Sequence, residues 1–177
     1  MTGEKAIEGC RRQDRICQKY IFDRWSEAML MLCLRYVKEL PDAEELMLNG
    51  FFSFYKSIDR FVYGNDGSIS AWLKKIMVNE CLMFLRKKGA LKIVDEQYAV
   101  EIGTDETQTS KMAADEVYKM ILELPAGYRT VFNLFVVEGY DHKEIAAMLG
   151  ITEGASRSQL SKARESLKRV ITEKVRK

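Results

Sequence analysis

Few residues in this 177-residue sequence could support catalysis. Its single histidine, His142, would have to serve any Ser-His-Asp or Cys-His mechanism, and lone histidines are more often structural. Cys10, Cys17, Cys33 and Cys81 include no close pair of the kind that binds zinc. Neither common glycine-rich phosphate loop occurs. We therefore expect buried, reduced cysteines, no metal and no cofactor, and these residues give little support to the hypothesis of an enzyme.

One predicted helix near the C-terminus carries side chains suited to nucleic-acid contact. Arg157, Ser158 and Ser161 recur there at helical spacing, and Leu160 and Ala163 form an apolar stripe on the other side. Donors near the start of such a helix reach base edges in a major groove, and cations further along meet phosphates. The candidate residues are Gly154, Arg157, Ser158, Ser161, Lys162, Arg164, Lys168 and Arg169. A solvated basic face on a terminal helix is the alternative.

The residues before this helix predict a helix-turn-helix. Asp141 and Glu144 form a capping pair at the start of a short helix that has Ile145 on its apolar face. Gly150 suits a left-handed turn, and Thr152 can cap the longer helix that follows. Two helices joined in this way would present the second one to a major groove.

Charge is unevenly distributed along the chain, although the formal net charge is only +2. Residues 72–92 hold six lysines and arginines against Glu80 alone, and residues 152–177 hold eight against three glutamates. Between them, residues 93–116 contain seven acidic residues and one lysine. Two basic modules flanking an acidic connector would attract a polyanion at two separate surfaces.

Apolar periodicity predicts an all-α fold of two small helical domains, the second a helix-turn-helix. The predicted bounds are 1–90 for the N-terminal domain, 91–111 for a flexible acidic linker and 112–177 for the C-terminal domain. Apolar residues at 47% and charged residues at 31% support a buried core. No apolar run is long enough for a bilayer and no signal core opens the chain, so we expect a cytoplasmic protein without membrane insertion.

Three helices are predicted in the N-terminal domain. The first covers residues 16–40 and should end at Pro41. Its apolar stripe comprises Ile16, Tyr20, Ile21, Trp25, Ala28, Met29, Leu32, Tyr36, Val37 and Leu40. Asp42 should cap the second helix with Glu45 as its reciprocal partner. The side chains expected on the buried face of that helix are Leu48, Phe51, Phe52 and Tyr55. An exposed loop should precede a third helix from about Ser70 to Gly89, and Cys10 and Cys17 should share a helical face.

Four sequence blocks together resemble the bacterial extracytoplasmic-function sigma factors. The blocks are Arg35-Tyr-Val with Pro41-Asp-Ala-Glu-Glu-Leu and Phe51-Phe; Ala71-Trp-Leu-Lys-Lys-Ile-Met-Val-Asn with Leu85-Arg-Lys; Leu124-Pro-Ala-Gly-Tyr-Arg-Thr-Val-Phe; and the helix-turn-helix. They follow the family order and spacing from about Cys10 to Val170. The chain departs from the family at Glu45, commonly Asp, and at Ser156, commonly hydrophobic. We expect the polar Ser156 to weaken the packing of the recognition helix on the preceding helix.

The resemblance implies roles for individual residues of the chain. Docking on the clamp of the largest RNA polymerase subunit falls to Asp42, Glu44, Glu45, Asn49 and Phe52, for which a solvated acidic face is the alternative. Recognition and opening of the minus-10 element fall to Asn65, Ser68, Trp72, Lys74, Lys75, Asn79, Arg86, Lys87 and Lys88. Trp72 is more simply a core residue, and Arg86, Lys87 and Lys88 suit phosphate contacts. The candidate residues of the C-terminal helix would read the minus-35 element.

The function implied is that of a non-catalytic sigma factor, which converts polymerase core into a promoter-specific holoenzyme. Its partners would be RNA polymerase core, promoter DNA and an anti-sigma factor. Two alternatives stay open from the residues alone: a stand-alone helix-turn-helix transcription regulator, and an all-helical adaptor protein without DNA binding.

Overall fold

The computed structural model of the protein describes residues 1–91 and 114–175, and every regular element within these ranges is helical. This confirms the all-α prediction. The chain divides into two compact units between Lys87 and Lys88. The linker predicted at residues 91–111 lies, apart from Leu91, outside the described residues. None of the described helices is long and apolar enough to cross a membrane.

Four α-helices and one short turn build the first unit. They are α1 (Gly3–Arg11), α2 (Arg15–Val37), α3 (Leu40–Lys56), the 3-10 turn Ile58–Arg60 and α4 (Asp66–Lys87). Helices α2, α3 and α4 pack against one another, and α1 packs on α2. The fully buried side chains of this unit include Met29, Tyr36, Phe54, Leu73 and Met77. Removal of this apolar surface from water is the main source of the unit's stability.

Helices α3 and α4 approach each other closely at Gly50. A Cβ atom added to Gly50 would lie 2.3 Å from Sδ of Met77, far inside van der Waals contact. Met77 is fully buried and has little room to move aside. The absence of a side chain at Gly50 therefore sets the distance between the two helices that carry the candidate site residues of this unit.

Helix α1 is absent from the sequence prediction. Its apolar face is short, with Ile7 and Cys10 among its few buried residues, and so gives no extended period. Gln13, with a positive φ of 60°, lies in the turn to α2. This turn places Cys10 and Cys17 on successive helices, which corrects the prediction of one shared helical face. All four cysteines are buried free thiols, as predicted. Across the described residues, no three His, Cys, Asp or Glu side chains are grouped to hold a metal ion.

The boundary between the first two predicted helices was wrong. Helix α2 ends where Lys38 takes a positive φ of 70°, and Leu40 already belongs to α3. Pro41 therefore lies in the first turn of α3, where its missing N–H costs nothing, and does not stop α2. The N-cap of α3 is Glu39, without a side-chain capping bond, so the prediction of Asp42 as the cap was also wrong.

The predicted buried face of α3 was wrong for two residues. Leu48 is 54% exposed and Phe52 is 69% exposed, whereas Phe51 is buried. The residues that α3 buries are Ala43, Leu46, Met47, Gly50, Phe51 and Phe54. This helix has apolar residues at more positions than one face can hold, so periodicity alone does not select the inner set. Three residues of the apolar stripe predicted for the first helix, Ile16, Ala28 and Leu40, are exposed as well.

Every regular element in the described part of the second unit is helical as well. They are α5 (Ala114–Glu123), α6 (Ala126–Phe132) with a π-helical turn Asn133–Val137, α7 (His142–Leu149) and α8 (Glu153–Val175). Helices α6 and α7 pack on α8 around the buried side chains Val131, Leu134, Ile145, Leu160 and Ala163. Nη1 of the buried Arg129 donates hydrogen bonds to the carbonyl oxygens of Leu124, at 2.8 Å, and Leu122, at 3.2 Å. Arg129 thereby satisfies carbonyl groups at the end of α5.

Candidate nucleic-acid interface

Helix α7 begins and ends as the sequence predicts. Oδ1 of Asp141 accepts a hydrogen bond of 2.7 Å from the N–H of Glu144, and Oε2 of Glu144 accepts one of 2.8 Å from the N–H of Asp141. Gly150 follows the helix in the left-handed conformation, with a φ of 67°. Oγ1 of Thr152 accepts a 3.0 Å hydrogen bond from the N–H of Ala155 at the start of α8. The predicted helix-turn-helix is confirmed, with α8 in the position of the recognition helix.

Helix α8 has one buried and one polar face. Ser156, Leu160 and Ala163 are buried at successive intervals of four and three residues, which is the repeat of a single helical face. Gln159 is also buried, beside the α6 residue Gly127, whose added Cβ would lie 3.5 Å from Oε1 of Gln159. This packing fixes the rotation of α8 about its axis and so decides which residues face solvent.

Ser156 lies at the contact between α7 and α8. Its side chain is fully buried, and its Oγ is 2.9 Å from Nδ1 of His142, the first residue of α7. A buried hydroxyl is costly when it lacks a hydrogen-bond partner. His142 supplies that partner. The polar side chain of Ser156 is therefore accommodated at the contact between α7 and α8, and we no longer expect it to weaken the packing of these two helices.

The ring of His142 stacks on an aromatic neighbour and experiences the charge of two arginines. It stacks on Phe135 with 4.5 Å between ring centroids and 21° between planes, and the guanidinium of Arg164 lies 5.9 Å from the same Phe135 ring. Burial lowers the pKa of His142, and the positive charges of Arg157 and Arg164 lower it further. Both causes favour the neutral imidazole, whose Nδ1 can donate or accept the hydrogen bond with Ser156, whereas an imidazolium could only donate it.

The outward residues of α8 form two adjacent lines with the same spacing. One line contains Arg157, Ser161, Arg164 and Lys168, and the other contains Ser158, Lys162, Glu165 and Arg169. All four arginine and lysine residues at 157, 164, 168 and 169 are exposed, and Ser158, Ser161 and Lys162 are half-buried. Gly154, in the first turn, is exposed on the same side. The structure thus brings all eight candidate residues of this helix onto one surface.

Arg157 has an acidic neighbour within the same helix. Its Nη2 lies 3.2 Å from Oε2 of Glu153, and the two side chains are 56% and 44% exposed. Ion pairs at this exposure contribute little because water and salt screen them. Arg157 can therefore leave Glu153 and bind a base edge or a phosphate at a small cost in free energy.

Helix α4 presents the second group of candidate residues. It begins at Asp66, four residues before the predicted start near Ser70, and ends at Lys87. Lys74, Lys75, Asn79, Arg86 and Lys87 are exposed on it, and the exposed Lys88 follows directly. Lys75 and Asn79 are one turn apart and so lie on the same face. The three basic residues at the end of the helix suit its negative dipole end, and their exposed side chains are of the type that contacts phosphates.

Trp72 is a packing residue of α4 with one part of its side chain still accessible. Its ring lies 4.6 Å from the Phe61 ring and 6.4 Å, edge-on, from the Phe54 ring. These contacts agree with the simpler expectation of a core role. Trp72 is only half-buried, however, so the structure leaves part of its surface open to a ligand.

Asn65 and Ser68 bind each other at the start of α4. Oδ1 of Asn65 accepts a 3.1 Å hydrogen bond from the N–H of Ser68, and Oγ of Ser68 donates a 2.6 Å hydrogen bond to the Asn65 carbonyl. These bonds satisfy free backbone groups at the helix N-terminus. Fourteen residues, or about 20 Å along the helix axis, separate Asn65 from Asn79. The structure therefore does not bring these two predicted minus-10 residues into one pocket.

Helix α3 exposes an acidic and apolar face. Its side chains Glu44, Glu45 and Asn49 are exposed, and Asp42 is half-buried. Leu48 lies on the same side, three and four residues after Glu45 and Glu44, and Phe52 follows Asn49 and Leu48 at the same spacings. Leu48 was not predicted to lie on the surface. The available signal is its spacing of four residues from both Glu44 and Phe52, which places it on the same helical face as these two candidate docking residues.

Comparison with protein families identifies both units. A family model described as Sigma-70 region 2 matches residues 21–90, which include α3 and α4. A second model, described as Sigma-70 region 4, matches residues 114–167, which include the helix-turn-helix. The two matches together cover more than half of the chain, in chain order.

Curated relatives match over nearly the whole chain. The ECF RNA polymerase sigma factor SigM of Mycobacterium tuberculosis is 28% identical over 160 residues, covering 89% of this chain and 79% of that protein. The ECF RNA polymerase sigma factor SigW of Bacillus subtilis is 27% identical over 184 residues, with 96% of each chain covered. The ECF RNA polymerase sigma-E factor of Escherichia coli is 24% identical, covering 94% of this chain and 93% of that one.

Two solved structures share the fold. The sigma factor RpoE, in complex with the anti-sigma factor NepR from Bartonella quintana, has a TM-score of 0.54 at 22% identity. That match covers 87% of this chain and 96% of the other. CnrH in complex with the cytosolic domain of CnrY has a TM-score of 0.50 at 16% identity, covering 94% and 95% of the two chains.

Proposed function

Because the chain belongs to the extracytoplasmic-function sigma factors of the sigma-70 family, we propose that it binds the RNA polymerase core and directs promoter-specific transcription initiation. The observation that carries this proposal is the succession of sigma-70 regions 2 and 4 in one chain. A stand-alone helix-turn-helix regulator has no use for region 2, and an adaptor without DNA binding has none for a recognition helix. In this role the chain forms no covalent bond, and catalysis belongs to the polymerase.

We assign a separate role to each of the domains predicted from the sequence. Residues 1–90 would bind core polymerase and open the minus-10 element, and residues 112–177 would bind the minus-35 element. The segment 91–111 would join the two. This assignment is supported by the separate placement of the two cationic surfaces, one on α4 and one on α8, in different compact units.

We assign core docking to the outward face of α3. Asp42, Glu44, Glu45 and Asn49 supply polar groups, and Phe52 together with Leu48 supplies apolar surface. A protein partner with a basic and partly apolar surface would cover both kinds of group, and we propose that this partner is the clamp of the largest polymerase subunit. Exposed aromatic side chains within a polar rim are typical of residues that dominate binding energy.

We assign strand opening to the exposed face of α4. An opened strand offers unpaired bases to hydrogen-bonding side chains and phosphates to cations. Asn79 has the amide needed for a base edge, Lys74 and Lys75 lie one turn before it, and Trp72 keeps partial access for stacking. The basic cluster formed by Arg86, Lys87 and Lys88 would hold phosphates without reading sequence. Asn65 and Ser68 would contribute at the other end of the helix.

We assign duplex recognition to the outward face of α8. The residues nearest its N-terminus, Gly154, Arg157 and Ser158, would meet base edges, since this end of a recognition helix enters the groove. Ser161 and Lys162 follow one turn later. Arg164, Lys168 and Arg169 would reach phosphates and provide affinity that depends on salt.

An anti-sigma factor is the second protein partner that we propose. Both solved structures of similar fold contain a sigma factor, or a protein of that fold, held by a second protein. An inhibitor that covers the α3 face or the cationic surface of α8 would stop the activity without any chemical step. We place this activity in the cytoplasm, where polymerase and chromosomal DNA meet in bacteria.

Run-off transcription tests the proposed function directly. Purified core polymerase, the chain and a library of genomic fragments should yield discrete transcripts, whereas core polymerase alone should yield none from the same fragments. The fragment that yields a transcript also identifies the promoter. Transcripts that appear without the chain, or failure of the chain to bind core polymerase, would contradict the proposal.

A further inference from the structure

Helix α1 ends against the loop of residues 61–65, which connects the 3-10 turn to α4. Nη2 of Arg11, the last residue of α1, donates a hydrogen bond of 2.7 Å to the carbonyl oxygen of Phe61. The Phe61 side chain is buried, with its ring 4.6 Å from that of Trp72. Hydrogen bonds from a charged donor are among the stronger ones in proteins. Arg11 therefore fixes the point at which the loop begins.

Asp66 holds the other end of the loop. Its Oδ1 accepts a hydrogen bond of 3.1 Å from the Tyr63 hydroxyl, and its Oδ2 pairs with Nη2 of Arg24 in α2 at 2.9 Å. Helix α1 is close here too, because a Cβ atom added to Gly3 would lie 2.0 Å from Oδ1 of Asp66. The first and last residues of α1 thus lie beside the two ends of the same loop.

The last two residues of the loop are hydrogen-bonded to α4, and Val62 at the tip of the loop is exposed. The N–H groups of Gly64 and Asn65 donate hydrogen bonds of 3.1 and 3.3 Å to Oγ of Ser68. Val62 is 84% exposed, the highest exposure among the large apolar residues of the described chain. A loop held in this way loses little conformational entropy when a ligand meets its tip.

We propose that α1 is a positioning element, which holds the 61–65 loop in the shape that receives the separated DNA strand during promoter opening. Arg11 acts through the Phe61 carbonyl, and Gly3 acts by leaving room for Asp66. The inference rests on the proposed function for its ligand, since a sigma factor meets an opened strand in this domain. Preorganisation of such a loop lowers the cost of binding at the moment of strand separation.

Amide hydrogen exchange on the full chain tests the structural half of the proposal without DNA. Arg11→Ala should speed exchange of the Gly64 and Asn65 amides by about tenfold, the scale of one lost hydrogen bond. Arg12→Ala is the matched control, because Arg12 is exposed and pairs only with Glu8 of α1 among the contacts described for it. Equal exchange in the parent protein and Arg11→Ala would overturn the proposal.

Permanganate footprinting of a promoter, alongside a core-binding assay, tests the functional half. Arg11→Ala should lower open-complex formation by about tenfold with core binding unchanged, and Arg11→Lys, which keeps the charge, should recover part of the loss. Normal opening by Arg11→Ala, or a parallel loss of core binding, would overturn the proposal.

Two further measurements show whether a loss of promoter opening comes from the loop or from misfolding of the variant. Thermal unfolding shows whether Arg11→Ala is folded, and if it is not, Gly3→Ala disturbs the loop from the other end of α1 and must show the same opening defect. Full opening by a folded Gly3→Ala variant with displaced Asp66 would then overturn the proposal. A parent protein that forms no open complex would instead overturn the proposed function, and the exchange result would still decide whether Arg11 holds the loop.

Discussion

Nδ1 of His142 and Oγ of Ser156 lie 2.9 Å apart and join the two helices of the helix-turn-helix. His142 begins α7, and Ser156 is buried on the inner face of α8. The orientation of the recognition helix therefore depends in part on one side-chain hydrogen bond. His142 is the only histidine of the sequence, so its titration is unambiguous in solution.

We expect His142 to titrate with a pKa below 6.5, because burial and the charges of Arg157 and Arg164 disfavour the imidazolium. The unfolded chain then binds more protons than the folded one as pH falls below 6.5. The stability that His142 contributes is therefore present above pH 6.5 and is lost as pH falls through the lower, folded-state pKa. A proton NMR titration of the imidazole signals in the full chain measures this pKa.

Two variants check the cause of the lowered pKa. Arg164→Ala removes a positive charge and an aromatic contact near the ring, so it should raise the His142 pKa. Arg169→Ala removes a charge that is not among the causes of the shift, and it should leave the pKa unchanged. A His142 pKa at or above 6.5 in the parent protein would contradict the conclusion that burial disfavours the imidazolium.

Arg157→Ala should relax base preference at one position of the minus-35 element. An arginine at this end of a recognition helix suits the two acceptors of a guanine, and loss of such a contact costs about 1–3 kcal/mol. Binding of the variant to a library of promoter fragments measures both the affinity and the base preference. The exposed pair with Glu153 should add little to the change.

Lys168→Ala is the matched control for Arg157, because both residues lie on the same line along α8. A phosphate contact positions the protein without reading sequence. We expect this variant to bind all fragments more weakly by a similar factor and to flatten the slope of log affinity against log salt by about one. A change of base preference in Lys168→Ala, or none in Arg157→Ala, would reverse the two assignments.

The helix-turn-helix was predictable because its signals are local. A capping pair such as Asp141 and Glu144 involves residues three apart, and Gly150 and Thr152 each act on the turn in which they lie. Local hydrogen bonds depend on neighbours in sequence, and so the sequence is sufficient to predict them. The same holds for the exposed side of α8, which follows from the repeat set by Leu160 and Ala163.

The parts that sequence reasoning missed depend on distant contacts. Arg11 and Phe61 are fifty positions apart, and no local pattern indicates their hydrogen bond. On α3, the apolar residues exceed one helical face, and the packing of α2 and α4 decides that Phe51 turns inward while Phe52 turns outward. The partner of Ser156 is likewise on another helix, so its burial could be expected but not its hydrogen bond.

Reversal of two charges on α3 should weaken association with core polymerase. Glu44→Lys with Glu45→Lys replaces two exposed carboxylates by cations, which repel a basic clamp surface. Phe52→Ala should weaken the same association by more than about 1 kcal/mol through lost apolar contact, with little effect on folding because the ring is 69% exposed. Competition for core polymerase against the labelled parent protein measures both.

Charge reversal at a different surface supplies the control. Glu27 is exposed on α2, outside the α3 face, so Glu27→Lys changes the net charge of the chain in the same direction without altering the docking surface. It should bind core polymerase like the parent protein. Equal weakening by Glu27→Lys would show that overall charge, and not the α3 face, governs the association.

Strand opening and core docking should be separable, because Asn79 and Asn49 occupy different helices. Asn79→Ala should leave core binding unchanged and reduce the open complex, since a hydrogen bond to an unstacked base matters only once the duplex has opened. Asn49→Ala, the same substitution on the exposed face of α3, should weaken core binding instead, with opening reduced only in proportion.

Both variants remove an exposed amide and should fold alike, so a difference between them reflects the surface and not stability. Permanganate reactivity of unpaired thymines at saturating core polymerase measures opening, and a parallel binding titration measures docking. Because Asn79 lies about 20 Å along α4 from Asn65, its loss should affect a different thymine from the one affected by a change at the 61–65 loop. Parent-like opening by Asn79→Ala, or a loss of core binding, would show that the α4 face does not meet the separated strand.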